Sequence, residues 1–337
     1  MTSDTRTITG SDTEHRTSTL PPSGDRWDVI IIGGGAAGLS AALILARARR
    51  RVLVLDGGQP RNRFAPHMHG VLSRDGYSPI DLVNDGYHEV RAADGVIRNT
   101  RVVETRAVDD GFDVVTDSGA VESARRLIVA TGARDVLPDI PGLVEQWGRG
   151  VVACPYCDGY EATGRAIGVL LGSAGGVHKA HMILPYSPNL TVFTALAGPL
   201  SADDRRLLEH RGVRLEDRAV SRVVVDGDTL TGLALEDDTV VPLDVVFAEP
   251  ALVPLDDPLR QLGAQRVDSP MGQWAEVDAF GRTSVAGVWA VGNAANPGAL
   301  VPIAMGSGAT AALTVNGELI AEEVAAASAA LAEERKG

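Results

Sequence analysis

The chain has 337 residues, and its 31 Lys and Arg against 44 Asp and Glu give a formal charge of −13. An acid excess of this size excludes binding to nucleic-acid phosphates as the main function, so no nucleic-acid partner is expected. The sequence contains no run of apolar residues long enough to span a membrane, and no membrane partner is expected. A length near that of two domains, a hydrophobic content of 45% and 38 glycines favour an α/β protein with many tight turns.

Residues 1–25 are rich in Thr, Ser and acidic residues and contain no apolar stretch of the kind found in secretory signals. This composition predicts a disordered arm ahead of the folded part of the chain. Because no secretory signal is recognised, the protein is expected in the cytoplasm, where cysteines stay reduced.

Residues 27–56 have the pattern of a strand, a glycine-rich turn, an Ala/Leu helix and a second strand. The turn contains G-x-G-x-x-G as Gly33, Gly35 and Gly38, and Asp56 ends the second strand. The glycines allow a sharp turn, the approach of a pyrophosphate to the backbone, and close packing of helix on strand. The helix N-terminus offers free N–H groups to phosphates, and Asp56 can accept hydrogen bonds from a ribose. This segment is therefore predicted to bind a dinucleotide.

A hairpin strand and a buried strand follow, and the buried strand ends at residues 130–132, ATG. A second strand, glycine-rich turn and helix begin near residue 165. Residues 213–250 alternate between polar and apolar and contain turn signals, which predicts a β-meander. The C-terminal part returns to a strand, a Gly-Asn turn and a long helix of small residues.

These elements predict an α/β fold with two Rossmann-like, three-layer ββα dinucleotide-binding domains, the second inserted into the first. The outer domain is predicted to comprise residues 26–136 and 253–337, and the inserted domain residues 137–252.

The two cysteines of the chain, Cys154 and Cys157, form one C-x-x-C motif near the start of the predicted inserted domain. A structural zinc site needs about four ligands, usually two such pairs, and neither a second pair nor a neighbouring histidine is present. No metal is therefore expected. In a reducing compartment a lone C-x-x-C is typical of thiol–disulfide exchange, in which one thiol needs a lowered pKa to react as thiolate.

The motifs occur in the order found in the low-molecular-weight thioredoxin reductase family, which the chain resembles over about residues 26–325. The matching segments are GGGAAG at 33–38, ATG at 130–132, CPYCDG at 154–159 and GVWAVGN at 287–293. The resemblance implies FAD in the outer domain, NADPH in the inserted domain, and a homodimer. It also implies that Cys157 faces the flavin, that Cys154 exchanges with substrate, and that Asp158 moves protons to and from the thiolates.

The motif and the resemblance together give a set of candidate FAD contacts at strand ends and in the turns that follow them. The set comprises Gly33, Gly35, Ala36, Ala37, Gly38, Asp56, Gly57, Arg61, Asn62, Ala130, Thr131, Gly132, Gly292, Asn293, Val301 and Pro302. Asn293 replaces a family aspartate that contacts the ribityl chain, and Asn can still bond a hydroxyl. Val301 and Pro302 replace family residues beside the flavin ring, where backbone N–H groups of the last helix could still face it.

Two departures from the family make NADPH doubtful as a cofactor. The second turn glycine of the inserted domain is read as Ala174, whose methyl group would intrude where a pyrophosphate approaches. The family's arginine cluster for the NADPH 2′-phosphate corresponds to residues 192–201, VFTALAGPLS, which contain no basic residue.

The chain is similar to a branch of this family that shares CPYC and a weakened nicotinamide site, the FAD-dependent dithiol oxidases of the gliotoxin, holomycin and romidepsin type. This resemblance implies that a small dithiol reduces the Cys154–Cys157 disulfide, leaves as a cyclic disulfide, and passes its electrons to O2, giving H2O2. Tyr156 could stack on that substrate, and His67 or His69 could act as a base near the thiols. The alternatives are a thioredoxin reductase or related disulfide reductase fed by NADPH or another donor, and a flavin-binding redox sensor or structural relic without turnover.

Overall fold

The computed structural model describes residues 26–336, and the predicted arm 1–25 lies outside the described residues. The part up to residue 136 contains two helices, six strands of one large sheet and a seventh strand, β7, outside that sheet. The bounds are β1 (Trp27–Ile32), α1 (Ala36–Arg47), β2 (Val52–Asp56), α2 (Pro79–Ala92), β3 (Val96–Asn99), β4 (Val102–Val108), β5 (Gly111–Thr116), β6 (Val121–Val129) and β7 (Ala133–Val136).

The middle part begins with a short strand just before the cysteine motif and consists of short strands and helices. Its elements are β8 (Val151–Val152), α3 (Pro155–Asp158), β9 (Ile167–Leu170), α4 (Val177–Ile183), β10 (Leu190–Phe193), α5 (Ala202–His210), β11 (Arg214–Glu216), β12 (Val220–Asp226), β13 (Thr229–Leu235), β14 (Val240–Pro242) and β15 (Val245–Ala248). The last part returns to the first sheet and ends in a long helix. Its elements are β16 (Ala251–Pro254), α6 (Asp257–Gln261), β17 (Arg266–Ser269), β18 (Gly272–Ala275), β19 (Val288–Ala290) and α7 (Val301–Glu334).

The first sheet has a parallel core in the order β3–β2–β1–β6–β19, and β6 continues into antiparallel pairing with β5 and then β4. β2 is apolar and buried along its whole length before it ends in Asp56, as expected for a parallel strand covered on both faces. α1 and α7 pack on one face, and α6 with strands β4, β5 and β18 covers the other. This arrangement is the predicted three-layer order.

The contact between α1 and α7 is close enough to require a glycine. Gly308 of α7 is buried, and a side chain there would overlap the carbonyl oxygen of Ala37 on α1. α7 is 34 residues long, but across residues 26–336 no helix combines the length and apolarity needed to cross a membrane.

The second sheet is parallel throughout, in the order β11–β10–β9–β15–β8, and a separate antiparallel sheet is formed by β12, β13 and β14. The prediction of one meander over 213–250 was therefore wrong at both ends, because β11 and β15 join the parallel sheet. β15 is buried on both faces, and short apolar strands of that kind do not reveal their pairing partner.

The chain passes between the two sheets twice, through β7 and β16. These strands pair antiparallel with each other, with Ala133 opposite Pro254 and Val136 opposite Ala251, and form a two-stranded ribbon. The predicted domain limits at 136/137 and 252/253 fall in this ribbon and stay a prediction. The two sheets with their helices give the predicted α/β class of two dinucleotide-binding domains.

Candidate active site

The turn between β1 and α1 forms a cradle at a helix N-terminus. Gly33 has φ +107°, and a side chain on it would overlap the carbonyl oxygen of Ala130 at the end of β6. At Gly35 the space in front of the backbone is open, and no side chain caps the N-terminus of α1. Ala36 and Ala37 form the first turn of that helix. A phosphate group fits this site, because its oxygens can accept from the free N–H groups of α1.

Buried polar groups line the same cradle. The Thr131 hydroxyl oxygen is buried without a hydrogen-bond partner, and an unsatisfied group of this kind calls for a ligand or a water. Asp56 is buried at the end of β2 and accepts a hydrogen bond from Tyr87, and burial together with that bond raises the pKa of Tyr87. Gly132 follows Thr131 with φ +73°. The cradle therefore fits the pyrophosphate and ribose of a dinucleotide.

The opposite wall of the cradle comes from the C-terminal part of the chain. The Asn293 amide nitrogen donates to the carbonyl oxygens of Asn296, Pro297 and Ala299, at 2.9, 3.2 and 3.1 Å. An aspartate could not make these bonds, so Asn293 holds this loop and keeps its amide oxygen as an acceptor. Gly292 begins the short 3-10 turn Gly292–Ala294 with φ +60°.

Helix α7 begins in the same region, with Val301 and Pro302 in its first turn. No side chain caps that end, so its backbone N–H groups are available, although Pro302 contributes none. Gly57 and Asn62 lie in the loop that follows β2.

Arg61 contacts the ribbon that connects the two sheets. Its guanidinium makes a paired contact with Asp135 of β7 at 2.8 and 2.6 Å, and a third bond to the Pro297 carbonyl oxygen at 3.3 Å. Its positive charge acts, as the smallest contribution, against the rise that the Cys154 thiol and burial cause in the pKa of Cys157. The side chain predicted to contact FAD thus binds the connecting ribbon at Asp135 and the loop at Pro297.

The two cysteines lie at the N-terminus of the short helix α3. Cys154 is the N-cap residue, and its carbonyl oxygen accepts from the N–H groups of Cys157 and Asp158, each at 3.1 Å. Both cysteines are free thiols and half-buried. Pro155 occupies the first turn, where its missing N–H costs no hydrogen bond.

The surroundings make the two thiols inequivalent. A hydrogen bond from the Cys157 thiol, helped by the N–H groups of Cys157 and Tyr156, lowers the pKa of Cys154 to about 7 against the opposing effect of burial. The same pairing with Cys154, together with burial, raises the pKa of Cys157 well above its usual range. Cys154 is therefore the thiol of the reduced pair that ionises near neutral pH, and a thiolate is the form that reacts in disulfide exchange.

Asp158 ends the same short helix, and its negative charge acts to raise the pKa of both thiols. Burial, with a contribution from the negative charge of Glu161, raises the pKa of its carboxyl group to about 6, while His69 opposes that rise. The acid therefore changes its protonation state close to neutral pH, which suits a group that moves protons.

Of the two predicted histidines, His69 is the one that contacts the segment just after the cysteine helix. Its Nε2 lies 3.5 Å from Oε1 of Glu161, and its Nδ1 lies 3.5 Å from Oδ2 of Asp75. His67 is exposed, and its Nδ1 lies 3.1 Å from the carbonyl oxygen of Gly76. Tyr156 is exposed between the cysteines.

Lys179 was not predicted from the sequence. It lies on α4, its Nζ donates to the Ala248 carbonyl oxygen at 2.9 Å, and burial lowers its pKa while Glu249, Cys154 and Asp135 act against that shift. A lysine one turn into an ordinary amphipathic helix gives no signal of a site, because helical spacing usually places it in solvent.

The chain matches known proteins over most of its length. The family described as pyridine nucleotide-disulphide oxidoreductase matches residues 27–308. A thioredoxin reductase of Leptosphaeria maculans, sirT, is 33% identical over 321 residues, which are 90% of this chain and 97% of that protein. A thioredoxin reductase of Claviceps purpurea, tcpT, is 32% identical over 314 residues, 88% and 95% of the two chains.

Solved structures give the same result. The crystal structure of HlmI has a TM-score of 0.87 with 43% identity and covers 91% of this chain and 97% of its own. The oxidoreductase from Agrobacterium tumefaciens has a TM-score of 0.82 with 36% identity, over 88% and 99%. These matches confirm the family, the enzyme class and the cofactor FAD that the motifs predicted. The chain belongs to the pyridine nucleotide-disulphide oxidoreductase family, as a thioredoxin reductase-like, FAD-dependent disulfide oxidoreductase.

Proposed function

We propose that the protein is a dithiol oxidase that closes an intramolecular disulfide in a small natural-product dithiol, with O2 as the final electron acceptor. The observation that carries the proposal lies where β10 ends, at the edge where a dinucleotide would enter the inserted domain. The Thr194 hydroxyl donates to Asp217, and Arg205 binds the same carboxylate at 2.8 and 3.1 Å. Because the Arg205 guanidinium is already paired with Asp217, it is not available to bind an NADPH 2′-phosphate. Electrons then enter from a dithiol.

The cysteine pair supports both halves of this reaction. A substrate thiolate attacks the Cys154 sulfur of the enzyme disulfide, the S–S bond breaks, and Cys157 leaves as a thiolate that takes a proton. The second substrate thiolate then displaces Cys154, so the product holds one new disulfide and the enzyme holds two thiols. Asp158, with a carboxyl pKa of about 6, supplies and retrieves the proton at Cys157. Re-forming the Cys154–Cys157 disulfide releases two electrons and two protons. FAD held in the outer cradle would supply the two-electron chemistry that passes them to O2, giving H2O2.

The surface around Cys154 supports a small, partly apolar substrate. Tyr156 and Tyr160 are 69% and 81% exposed on either side of Cys157, although tyrosine rings of this size are usually buried on one face. Exposed aromatic rings beside a reactive thiol offer stacking to a ring-containing dithiol.

The proposal includes a homodimer in the cytoplasm. One side of α7 carries large apolar side chains that stay exposed in the single chain: Leu313, Ile320, Val324 and Leu331. At 3.6 residues per turn these four positions fall within about 40° of one another, which is the pattern of a helix that packs on a partner. A cytoplasmic location agrees with a thiol pair that must return to the reduced state in each cycle.

The test is an anaerobic titration of the FAD-loaded protein, followed by its flavin absorbance near 450 nm, about where free flavins absorb. Dithiothreitol serves as the small dithiol and is compared with NADPH and with reduced thioredoxin. We expect rapid bleaching by dithiothreitol, little bleaching by NADPH, and one H2O2 per dithiol once O2 is admitted. A Cys154→Ser variant should bind FAD normally but resist bleaching by the dithiol. Rapid bleaching by NADPH would instead favour a reductase.

A further inference from the structure

The glycine-rich turn of the inserted domain can be aligned with the outer turn by its backbone hydrogen bonds. This structural alignment differs from the one predicted from the sequence. In the outer domain Gly33 N donates to Leu55 O, and in the inserted domain Leu171 N donates to Phe193 O. The same residues follow the paired ends of β1 with β2 and of β9 with β10. The assignment of Ala174 to the second glycine position was therefore wrong by one residue.

The three positions of the outer motif correspond to Leu171, Ser173 and Gly176. The first two glycines have been replaced by larger residues, and the third is kept.

The end of β15 places an acidic side chain over this turn. Ala248 pairs with Leu170 as Val129 pairs with Ile32, so Glu249 corresponds to Ala130 of the outer domain. The Ala130 methyl group cannot reach the outer turn's N–H groups, and the space before Gly35 stays open. Here the alanine is replaced by a glutamate.

The Glu249 carboxylate is hydrogen-bonded to the turn. Its Oε2 accepts from the backbone N–H groups of Gly172 at 2.9 Å and of Ser173 at 3.2 Å. Ser173 is the counterpart of Gly35, the residue at which a pyrophosphate approaches the backbone.

The third glycine of this turn, Gly176, makes room for the Glu249 carboxylate. Gly176 is buried, and a Cβ built on it would overlap Oε2 of Glu249 while its other near neighbours are also atoms of that carboxylate. Gly176 therefore leaves room for the acid, in a place where the outer domain uses Gly38 to pack against the Gly33 carbonyl oxygen.

We propose that Glu249 is a specificity-determining residue that excludes pyridine dinucleotides: its carboxylate occupies the turn N–H groups and puts a negative charge where a pyrophosphate would bind. A carboxylate on these groups replaces the external anion that such turns otherwise attract, and it repels a second anion. The inference deepens the proposed function and rests on it, since an enzyme reduced by dithiols does not need a nicotinamide donor.

The test measures anion binding and no turnover. Inorganic pyrophosphate and then NADPH are titrated calorimetrically into FAD-loaded protein, so that the outer cradle is already filled. We expect Glu249→Ala to bind pyrophosphate at least tenfold more tightly than the wild type. Gly176→Ala should show a gain in the same direction, because the new methyl group displaces the carboxylate while Glu249 remains in the chain.

Asp244→Ala is the matched control. The Asp244 carboxylate also accepts from a backbone N–H, that of Ala166 at 2.8 Å, but at the opposite end of β9. Its removal should leave pyrophosphate binding at the wild-type level. The inference is overturned if the wild type binds pyrophosphate as tightly as Glu249→Ala, or if Glu249→Ala gains nothing while its flavin spectrum shows an intact fold. Either result leaves the dithiol titration, and with it the proposed function, to be judged separately.

Discussion

Cys154 and Cys157 are chemically identical side chains that the first turn of α3 makes different. The Cys157 thiol and the N–H groups of Cys157 and Tyr156 favour negative charge on the Cys154 sulfur, which lowers its pKa to about 7. Cys157 donates the shared proton and keeps it. The sequence predicted the pair and its redox role, but the inequivalence depends on hydrogen-bond directions that the letters C-P-Y-C do not contain.

This inequivalence predicts how the reduced protein reacts with iodoacetamide. One thiol should react first, with a rate that rises with pH around a midpoint near 7, because alkylation follows the Cys154 thiolate. The Asp158 charge raises the pKa of Cys154, so Asp158→Asn should move the midpoint to lower pH. Stopped-flow rates with mass spectrometry of the alkylated peptide check both points. A fast phase centred near 9, or one mapped to Cys157, would contradict the assignment.

Asp158 itself gives a second prediction. Burial raises the pKa of its carboxyl group to about 6, so the group is protonated below that pH and ionised above it. Asp158→Asn cannot exchange a proton with Cys157, and dithiol turnover should fall by roughly 10²-fold, the usual contribution of a positioned acid or base.

Glu161→Gln is the matched control for this substitution. It keeps Asp158 but removes the like charge that helps to raise its pKa, so the acid limb of the pH–rate profile should move to lower pH. The maximum rate should stay near that of the wild type. A fully active Asp158→Asn enzyme would exclude Asp158 from proton transfer.

At the scale of elements, the packing of α7 on α1 positions the FAD cradle. The two helices approach at Gly308, and the same contact sets Ala37 at the end of the cradle. Small residues in α7 were visible in the sequence, but which of them faces α1 was not, since alanines and glycines surround the helix and blur its apolar face.

Gly308→Ala should therefore separate α7 from α1. The new methyl group would overlap the Ala37 carbonyl oxygen, and overpacking of this kind costs about 1–3 kcal/mol of unfolding free energy. We expect a lower Tm and weaker retention of FAD. Gly306→Ala, two residues away with open space around it, should instead raise stability by about 0.5–1 kcal/mol, because alanine favours a helix over glycine. Equal thermal shifts in the two variants would mean that the α1–α7 approach is not tight.

In the turn after β9, the alignment of the glycine motif could not be predicted from the sequence. Residues 170–177, LLGSAGGV, contain three glycines, and the sequence allows more than one alignment to G-x-G-x-x-G. Only the bond from Leu171 N to Phe193 O fixes the register. In contrast, the turn after β1 was predicted correctly, because three glycines precede two alanines and the spacing has one solution.

For the whole molecule, the order of motifs along the chain predicted two similar sheets, with the strands of the second inserted in sequence between strands of the first. The structure has this arrangement. The order of motifs could not predict the ends of the inserted sheet. β15 pairs with β9 across most of the inserted domain, and β11 pairs with β10 across the intervening helix α5. The ion pair between Arg61 and Asp135 could not be predicted from the sequence either, because these residues lie 74 positions apart.

The exposed apolar side of α7, formed by Leu313, Ile320, Val324 and Leu331, predicts a homodimer. Sedimentation equilibrium should give about twice the 35.2 kDa of one chain. Ile320→Asp with Val324→Asp should yield a monomer, because charges would be buried in the interface. Ala329→Asp, on the opposite side of the same helix, should leave the dimer intact. A monomeric wild type would assign the exposed apolar side another role.

The two sulfhydryls at the start of α3 are the complete cysteine content of the chain. Oxidised molecules therefore carry no free –SH anywhere, whereas reduced molecules carry two. A thiol-capture resin should retain the second population and let the first flow through. The two redox forms of this enzyme can thus be separated on a column and weighed, without any variant or label.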